Sequence, residues 1–472
     1  MKITVDESPV GVGKTHRAIE MMTGIKGRYV FASERINTMD EMVGRIFDAA
    51  RINKTLPTII KIFTQNGRVG NVARQIADIP RTTEGNDHVI VLISHEGMMS
   101  SEFEGFEGWT LIVDEVPCMF ATHSYRTPTD LAFFEDNYTL SPIDGVNGDN
   151  WRMVGLTARG AALAGSSIAE CEGHSYLHHF HRRCRDPRRG PVVELTDWSD
   201  MTNGQSWVWW SLFHPGQIAS FTNRYFLGNG FTKSLAFKLF NEDHIEWETM
   251  SDMGNRPLRQ RNARIVYYSD RSASMFYFES EAGQADLGKI GAHIASSTPA
   301  GSYFWSANGS IKGALDLQLE SEAYQRPKQA GTSLLMGYHT AAMFYAAKPS
   351  PEVDQAIRGL GFDTSEWVAT NEYEAVLQFV TRTSVRDVNS THDVVLHVFN
   401  RDQAEYLKAF FDAQPHILST LEKVDLDLST QTKKAPGRKA LVLTAEEREA
   451  KIIADREKRK IAMRERRATA TK

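Results

Sequence analysis

Cysteine is scarce in this chain: Cys118, Cys171 and Cys184 are the three among 472 residues. Three thiols cannot build a disulfide framework, which fits a reducing compartment. Long apolar runs are missing too, and none approaches the roughly 18–20 residues needed to cross a bilayer. The opening "MKITVDESPV" lacks the apolar core of a secretory signal, so a cytoplasmic protein with no membrane partner is expected. An overall basic charge is also absent, the formal net charge being −5. That charge is uneven. Between Lys433 and Lys472 stand fourteen Lys/Arg against six Asp/Glu, a net +8 that leaves −13 on the rest. A basic tail on an acidic body fits an arm for nucleic acid or an acidic partner, and equally a solvated surface helix.

Hydrophobic residues at 41% and charged residues at 24% describe a globular composition, and the length calls for two or three domains. "KITV", a glycine-rich turn and "KTHRAIEMM" read as strand, loop and helix. Continuous apolar runs follow at 28–33, 88–94, 109–115 and 152–158, as expected of strands covered on both faces of a parallel α/β sheet. "TMDEMVGRIFDAARI" and "NVARQIADI" read as crossover helices. Between Gly165 and Asn262 the pattern changes, with five of the nine tryptophans and a His/Cys-rich patch. Strand-like runs resume at 263–269, 302–308, 330–336 and 392–399, which places a second α/β domain there. Beyond Phe411 a polar linker is expected, then one helix from Thr444, where Thr444 and Glu447 form a capping-box pattern.

"SPVGVGKTH" (8–16) has the pattern of a phosphate-binding loop. Gly11 and Gly13 free the backbone to turn around phosphate, and the following helix points its N–H groups at the anion. Lys14 would reach the β- and γ-phosphates of ATP and Thr15 would ligate magnesium, with Pro9, Val12 and His16 completing the nucleotide contacts. Ser8 stands where a glycine or alanine is usual. "LIVDEVP" (111–117) ends an apolar strand in two acids: Asp114 can hold magnesium, and Glu115 can orient or deprotonate the attacking water. "VGLTARG" (154–160) ends another apolar run in Thr157, which can sense the γ-phosphate or simply finish a strand. In "QFVTRTSVRD" (378–387), read as helix, Gln378, Arg382 and Arg386 fall at i, i+4 and i+8. One polar face of that kind suits an arginine-finger surface over ATP, or a charged surface helix.

In this order the motifs resemble those of superfamily-two DExx-box helicases of the compact viral or phage type, over residues 1–160 and 263–411. SPVGVGKT is similar to their motif I, DEVP to the DExx box, LTA to motif III and the Gln/Arg/Arg segment to motif VI. "VLISHEGMM" (91–99) resembles the strand end that grips nucleic-acid backbone, implicating Ser94 and His95, and "AGTSLLMGY" (330–338) resembles motif V, implicating Gly331 and Thr332 in coupling. The resemblance implies two RecA-like (P-loop NTPase) domains, at 1–165 and 263–415. They flank an accessory insert at 166–262, and a linker at 416–443 and a basic helix at 444–472 follow. It implies an ATP- and magnesium-dependent motor on nucleic acid, with DNA expected ahead of RNA, in bacterial or phage-infected cytoplasm. Two rival readings stay open. A packaging ATPase would need a nuclease with clustered carboxylates, where 263–411 shows scattered acids such as Asp270, Glu279 and Glu281. A nucleotide-dependent loading factor would need no strand movement.

Other signals carry less. Cys171, His174, His178 and Cys184 fit no standard zinc spacing and read as a basic loop. Arg182 and Arg183, in "HRRCRDPRRG", can contact phosphate or line a solvated loop. The tryptophans of "SWVWW" (206–210) read as core rather than as a base-stacking platform.

Overall fold

The computed structural model describes residues 1–429 apart from 35–38, 64–71, 116, 118, 127–130, 144–145, 147–149, 165–167, 169–176, 186–189, 202–205, 242–243, 251–258, 328–333, 388 and 415. The expected linker hinge "TKKAPGRKA" and the basic arm lie outside the described residues, as do Gly331, Thr332, Cys171 and His174.

The uninterrupted apolar runs form strands because both of their faces find cover. In chain order these are β1 (Lys2–Asp6), β2 (Arg28–Ser33), β3 (Thr58–Ile62), β4 (Val89–Ser94) and β5 (Trp109–Asp114). Five more follow: β6 (Phe120–Arg126), β7 (Tyr138–Pro142), β8 (Trp151–Leu156), β9 (Val192–Glu194) and β10 (Ser206–Leu212). The chain then returns through β11 (Asn223–Leu227) and β12 (Glu246–Met250). The first sheet is parallel and runs β12-β1-β11-β5-β2-β4-β3. On one face Val30, Ala32, Val91 and Leu111 enter a core. On the other, Tyr29, Phe31, Ile90 and Ile112 pack on Ile19, Met22, Met42 and Ile46 of the helices Lys14–Gly24 and Met39–Asn53.

Strand β8 corrects the sequence reading. It does not extend the first sheet but lies in an antiparallel sheet, β6-β10-β9-β8-β7, inserted between β5 and β11. The expected boundary at residue 165 therefore falls inside this sheet. The run Arg152–Leu156 is apolar enough for either place, and the pairing partners on both sides, β7 and β9, decide. Trp207, Trp209 and Trp210 of β10 are all buried, as core residues. The insert leans on both neighbours: Phe120, Trp151 and Trp210 join the core of the first sheet together with Ala356 of a later helix, Pro351–Gly359. A Cβ placed on Gly359 would stand 3.0 Å from the Trp151 ring, so a side chain there would press that ring aside.

The third sheet is parallel, from β13 (Arg261–Ser269), β14 (Tyr303–Ala307), β15 (Thr340–Phe344), β16 (Val394–Asn400) and β17 (Ile417–Lys423), ordered β14-β15-β16-β13-β17. Two expectations are corrected here. Of the strand placed at 330–336, residues 330–333 lie outside the described residues and Leu334–Gly337 form a turn, with β15, every residue of which is buried, following it. The linker placed from 416 begins with β17, which pairs along β13 from Arg261↔Ile417 to Tyr267↔Lys423. Two parallel α/β sheets, the first with a glycine loop after β1, make the RecA-like P-loop architecture. Residues Met1–Asp427 form one compact unit. No helix among the described residues is long and apolar enough to cross a membrane.

Candidate active site

Strand β1 ends at Asp6, and the loop after it turns through Gly11 (φ 88°) and Gly13 (φ 90°) into the helix Lys14–Gly24. Side chains rarely adopt that left-handed backbone, so both glycines are required by the turn. The Ser8 departure has a physical account. Its N–H and Oγ both donate to Asp6 Oδ1, at 3.0 and 2.5 Å, and Arg17 Nη2 holds Asp6 Oδ2 at 2.5 Å. The hydroxyl thus anchors the loop to the strand that launches it. Burial works to raise the Asp6 carboxyl, but the Ser8 and Arg17 hydrogen bonds prevail and hold it below its ordinary range.

Lys14 folds back on this loop, its Nζ donating to the carbonyls of Ser8 (2.5 Å) and Pro9 (3.2 Å). Burial lowers its pKa, while Asp6, Asp114, Glu374 and Glu115 favour the charged form. Thr15 Oγ1 lies 3.0 and 3.1 Å from the two carboxylate oxygens of Asp114. Burial raises the Asp114 pKa to about 6, against the Thr15 hydrogen bond and the charges of Lys14 and Arg45. A hydroxyl and a carboxylate side by side are hard oxygen donors of the kind magnesium takes in phosphate sites, so the pair fits that ion.

Glu115 has a left-handed backbone, φ 69°, uncommon for a residue with a side chain. Its N–H is held by Leu227 O at 2.9 Å. Burial pushes its carboxyl up to about 8, helped by Asp114 and Glu34 and opposed by Arg382 and Arg386. Those arginines come from the second lobe, the part built on the third sheet, and so the acids and the arginine turn share one electrostatic site.

The turn differs from its sequence reading. The helix Glu374–Val380 stops before Arg382, and Arg386 sits on a separate 3₁₀ turn, Ser384–Arg386. The four-residue spacing of the arginines is therefore not helical. Arg386 lines a cleft of about 500 Å³ together with Gly11, Lys14, Asp114, Glu115 and Gln378. A Cβ placed on Gly11 would lie 3.0 Å from Arg386 Cγ, so the second lobe reaches the glycine loop itself. Burial lowers the Arg386 pKa to about 10, with Glu115 favouring its charge. Arg382 is buried, 2% exposed. His16 lines the cleft and pairs with Glu20 at 3.3 Å. Val12 contributes its carbonyl to Arg17 at 3.3 Å.

Three sequence-based sites lie elsewhere. Thr157 is not at the cleft: its Oγ1 donates to Asp136 O (2.6 Å) and accepts from Gly160 N (3.0 Å) inside the insert. His95 is buried under the acid strand, Nε2 against Asp114 O at 2.9 Å, and burial drives its pKa down to about 4. A neutral imidazole there ties the end of β4 to β5. Ser94 caps the following helix, accepting from Gly97 N at 3.0 Å. Arg182 and Arg183 lie on the short insert helix His178–Cys184, whose Phe180, His181 and Cys184 are buried.

The sequence reading missed Arg45, Asn229 and Glu374. Arg45 and Asn229 line the cleft. Asn229 follows β11, the strand between β1 and β5, and "YFLGN" (225–229) carries the same apolar-run-then-polar signal as the acid strand.

No protein-family model and no curated protein sequence matches the chain. Among solved structures it is similar to S. tokodaii Xpd4, with 9% identity, 89% of this chain and 96% of that chain covered and a TM-score of 0.45. It is also similar to S. cerevisiae Dbp5 bound to RNA and ADP BeF3, with 7% identity, 89% and 85% covered and a TM-score of 0.33. A third similarity is to the helicase MrfA bound to DNA, with 9% identity, 89% and 48% covered and a TM-score of 0.33.

Proposed function

We propose that the cleft hydrolyses ATP and that the chain is a motor on nucleic acid, DNA being the first candidate track. One observation carries this reading: the glycine loop and the acid pair of the first lobe meet Gln378 and Arg386 of the second lobe in one cleft.

The roles follow from the positions. Loop N–H groups and Lys14 bind the phosphates, and the ammonium exchanges its two carbonyl partners for phosphate oxygens. Thr15 and Asp114 would hold magnesium, which when bound neutralises phosphate charge and orients the terminal phosphoryl group. Glu115 accepts a proton from the water that attacks the γ-phosphorus, and ADP leaves. Its high pKa makes it a strong base, one ionised as pH rises through about 8. Arg386 stabilises the charge that builds on the transferred group. Because acids and arginines belong to different lobes, turnover and lobe movement are tied together, the requirement for stepping along a strand. Arg182, Arg183 and the basic C-terminal segment are the proposed phosphate-backbone contacts.

Equilibrium binding of a single-stranded DNA, with a non-hydrolysable ATP analogue and then with ADP, tests the reading. A motor requires different affinities in the two states, and equal affinities reject it.

A further inference from the structure

A helical segment of the second lobe runs along the first, with contacts that recur every four residues. Lys238 pairs with Glu366 at 2.5 Å, and the Leu235 N–H donates to Thr370 Oγ1 at 3.4 Å. Asn229 Nδ2 donates to both carboxylate oxygens of Glu374 at 3.3 Å. Gln378, next along the stripe, donates to Glu374 Oε1 at 3.3 Å and lines the cleft. A spacing of four keeps these groups on one helical face. The segment also holds a π-helical turn, Ala369–Tyr373, a device frequent at functional sites.

Glu374 links this stripe to the nucleotide. It accepts from Tyr406 OH at 3.2 Å as well, and burial raises its pKa against these hydrogen bonds and the charge of Lys14. Of the four carboxylates that favour the Lys14 charge, Asp6 is engaged by Ser8 and Arg17, and Asp114 by Thr15. Asp6, Asp114 and Glu115 belong to the first lobe, and Glu374 favours the Lys14 charge from the second. Two of its hydrogen-bond partners, Asn229 and Gln378, line the cleft that Lys14 also lines.

We propose that Glu374 and Asn229 form a γ-phosphate-sensing latch between the lobes. Without nucleotide, Asn229 holds Glu374 and with it the stripe. A γ-phosphate at Lys14 sets like charge against the carboxylate, weakens that hold and moves the stripe, with Gln378 and the arginine turn that follows. This rests on the ATP reading of the cleft. Glu374 is a positioning residue and takes no part in the bond changes.

The test is equilibrium binding of a non-hydrolysable ATP analogue and of ADP to the full chain and to Glu374→Gln, which keeps size and an acceptor oxygen but removes the charge. The analogue should bind about five- to tenfold tighter and ADP less than about twofold tighter, because the γ-phosphate adds the like charge. Asn229→Ala, which removes the other half of the latch, should also favour the analogue over ADP. The double variant should gain no more than Glu374→Gln alone, since both act through one contact. Equal shifts for both nucleotides, or no shift in a chain that binds both, overturn the latch and leave the ATP reading standing. Failure of the unaltered chain to bind either nucleotide overturns both.

Discussion

The two sides of the cleft are held in place by different means. The glycine loop is fixed by its own neighbours: Asp6, Ser8 and Arg17 bond one another across at most eleven positions, and Lys14 bonds Ser8 and Pro9. The arginine turn has a local tie, Arg386 Nε donating to Thr381 O at 3.1 Å, and is also fixed from afar. The Ser384 N–H donates to Tyr338 O at 2.8 Å, Arg261 Nη1 donates to Ser384 O at 2.8 Å, and Ser384 Oγ lies 2.8 Å from His339 Nδ1. The cradle is therefore preformed, while the finger goes wherever the second lobe goes. On the proposed reading, that asymmetry would let one side bind ATP and the other report whether the cleft is closed.

Breaking the cradle should have the largest effect. Lys14→Ala is expected to abolish hydrolysis, about a thousandfold or more, in a phosphate-release assay, and to weaken nucleotide binding as well. Removing the finger should separate the two sides. Arg386→Ala is expected to lower kcat by about 10²–10³ while ADP affinity changes by less than about threefold, as measured by single-turnover hydrolysis and titration. A pH series sharpens the comparison further. With Glu115 as the proposed base, active when ionised, and its carboxyl pushed up to about 8, kcat/KM should rise with pH up to that region. Arg386 favours the ionised form, so its loss should move this limb to higher pH. The smallest effect is expected from Ser384→Ala, which removes the His339 contact but keeps both backbone bonds. A drop in kcat of about two- to fivefold with unchanged KM would fit one lost hydrogen bond.

The same asymmetry governs what could be read from the sequence. The cradle was legible because "SPVGVGKT" is contiguous and its chemistry is local, and the acids because they end an apolar run. The insert was not, since Arg152–Leu156 is as apolar as a parallel strand and only its pairing with β7 and β9 distinguishes it. Thr157 was misplaced for the same reason, and the end of β11 stands where Thr157 was expected. His95 carried a surface role in the reading, yet burial turns it into a tie between strands. Asn229 and Glu374 are 145 positions apart, and no local pattern joins them.

The central claim is that ATP turnover in this two-sided cleft is coupled to nucleic acid. Steady-state ATP hydrolysis with no nucleic acid, single-stranded DNA, duplex DNA and RNA, beside Arg386→Ala, tests it most directly. The account requires strong stimulation by one of these, lost in the variant. Hydrolysis indifferent to all of them would contradict the motor and leave an ATPase alone.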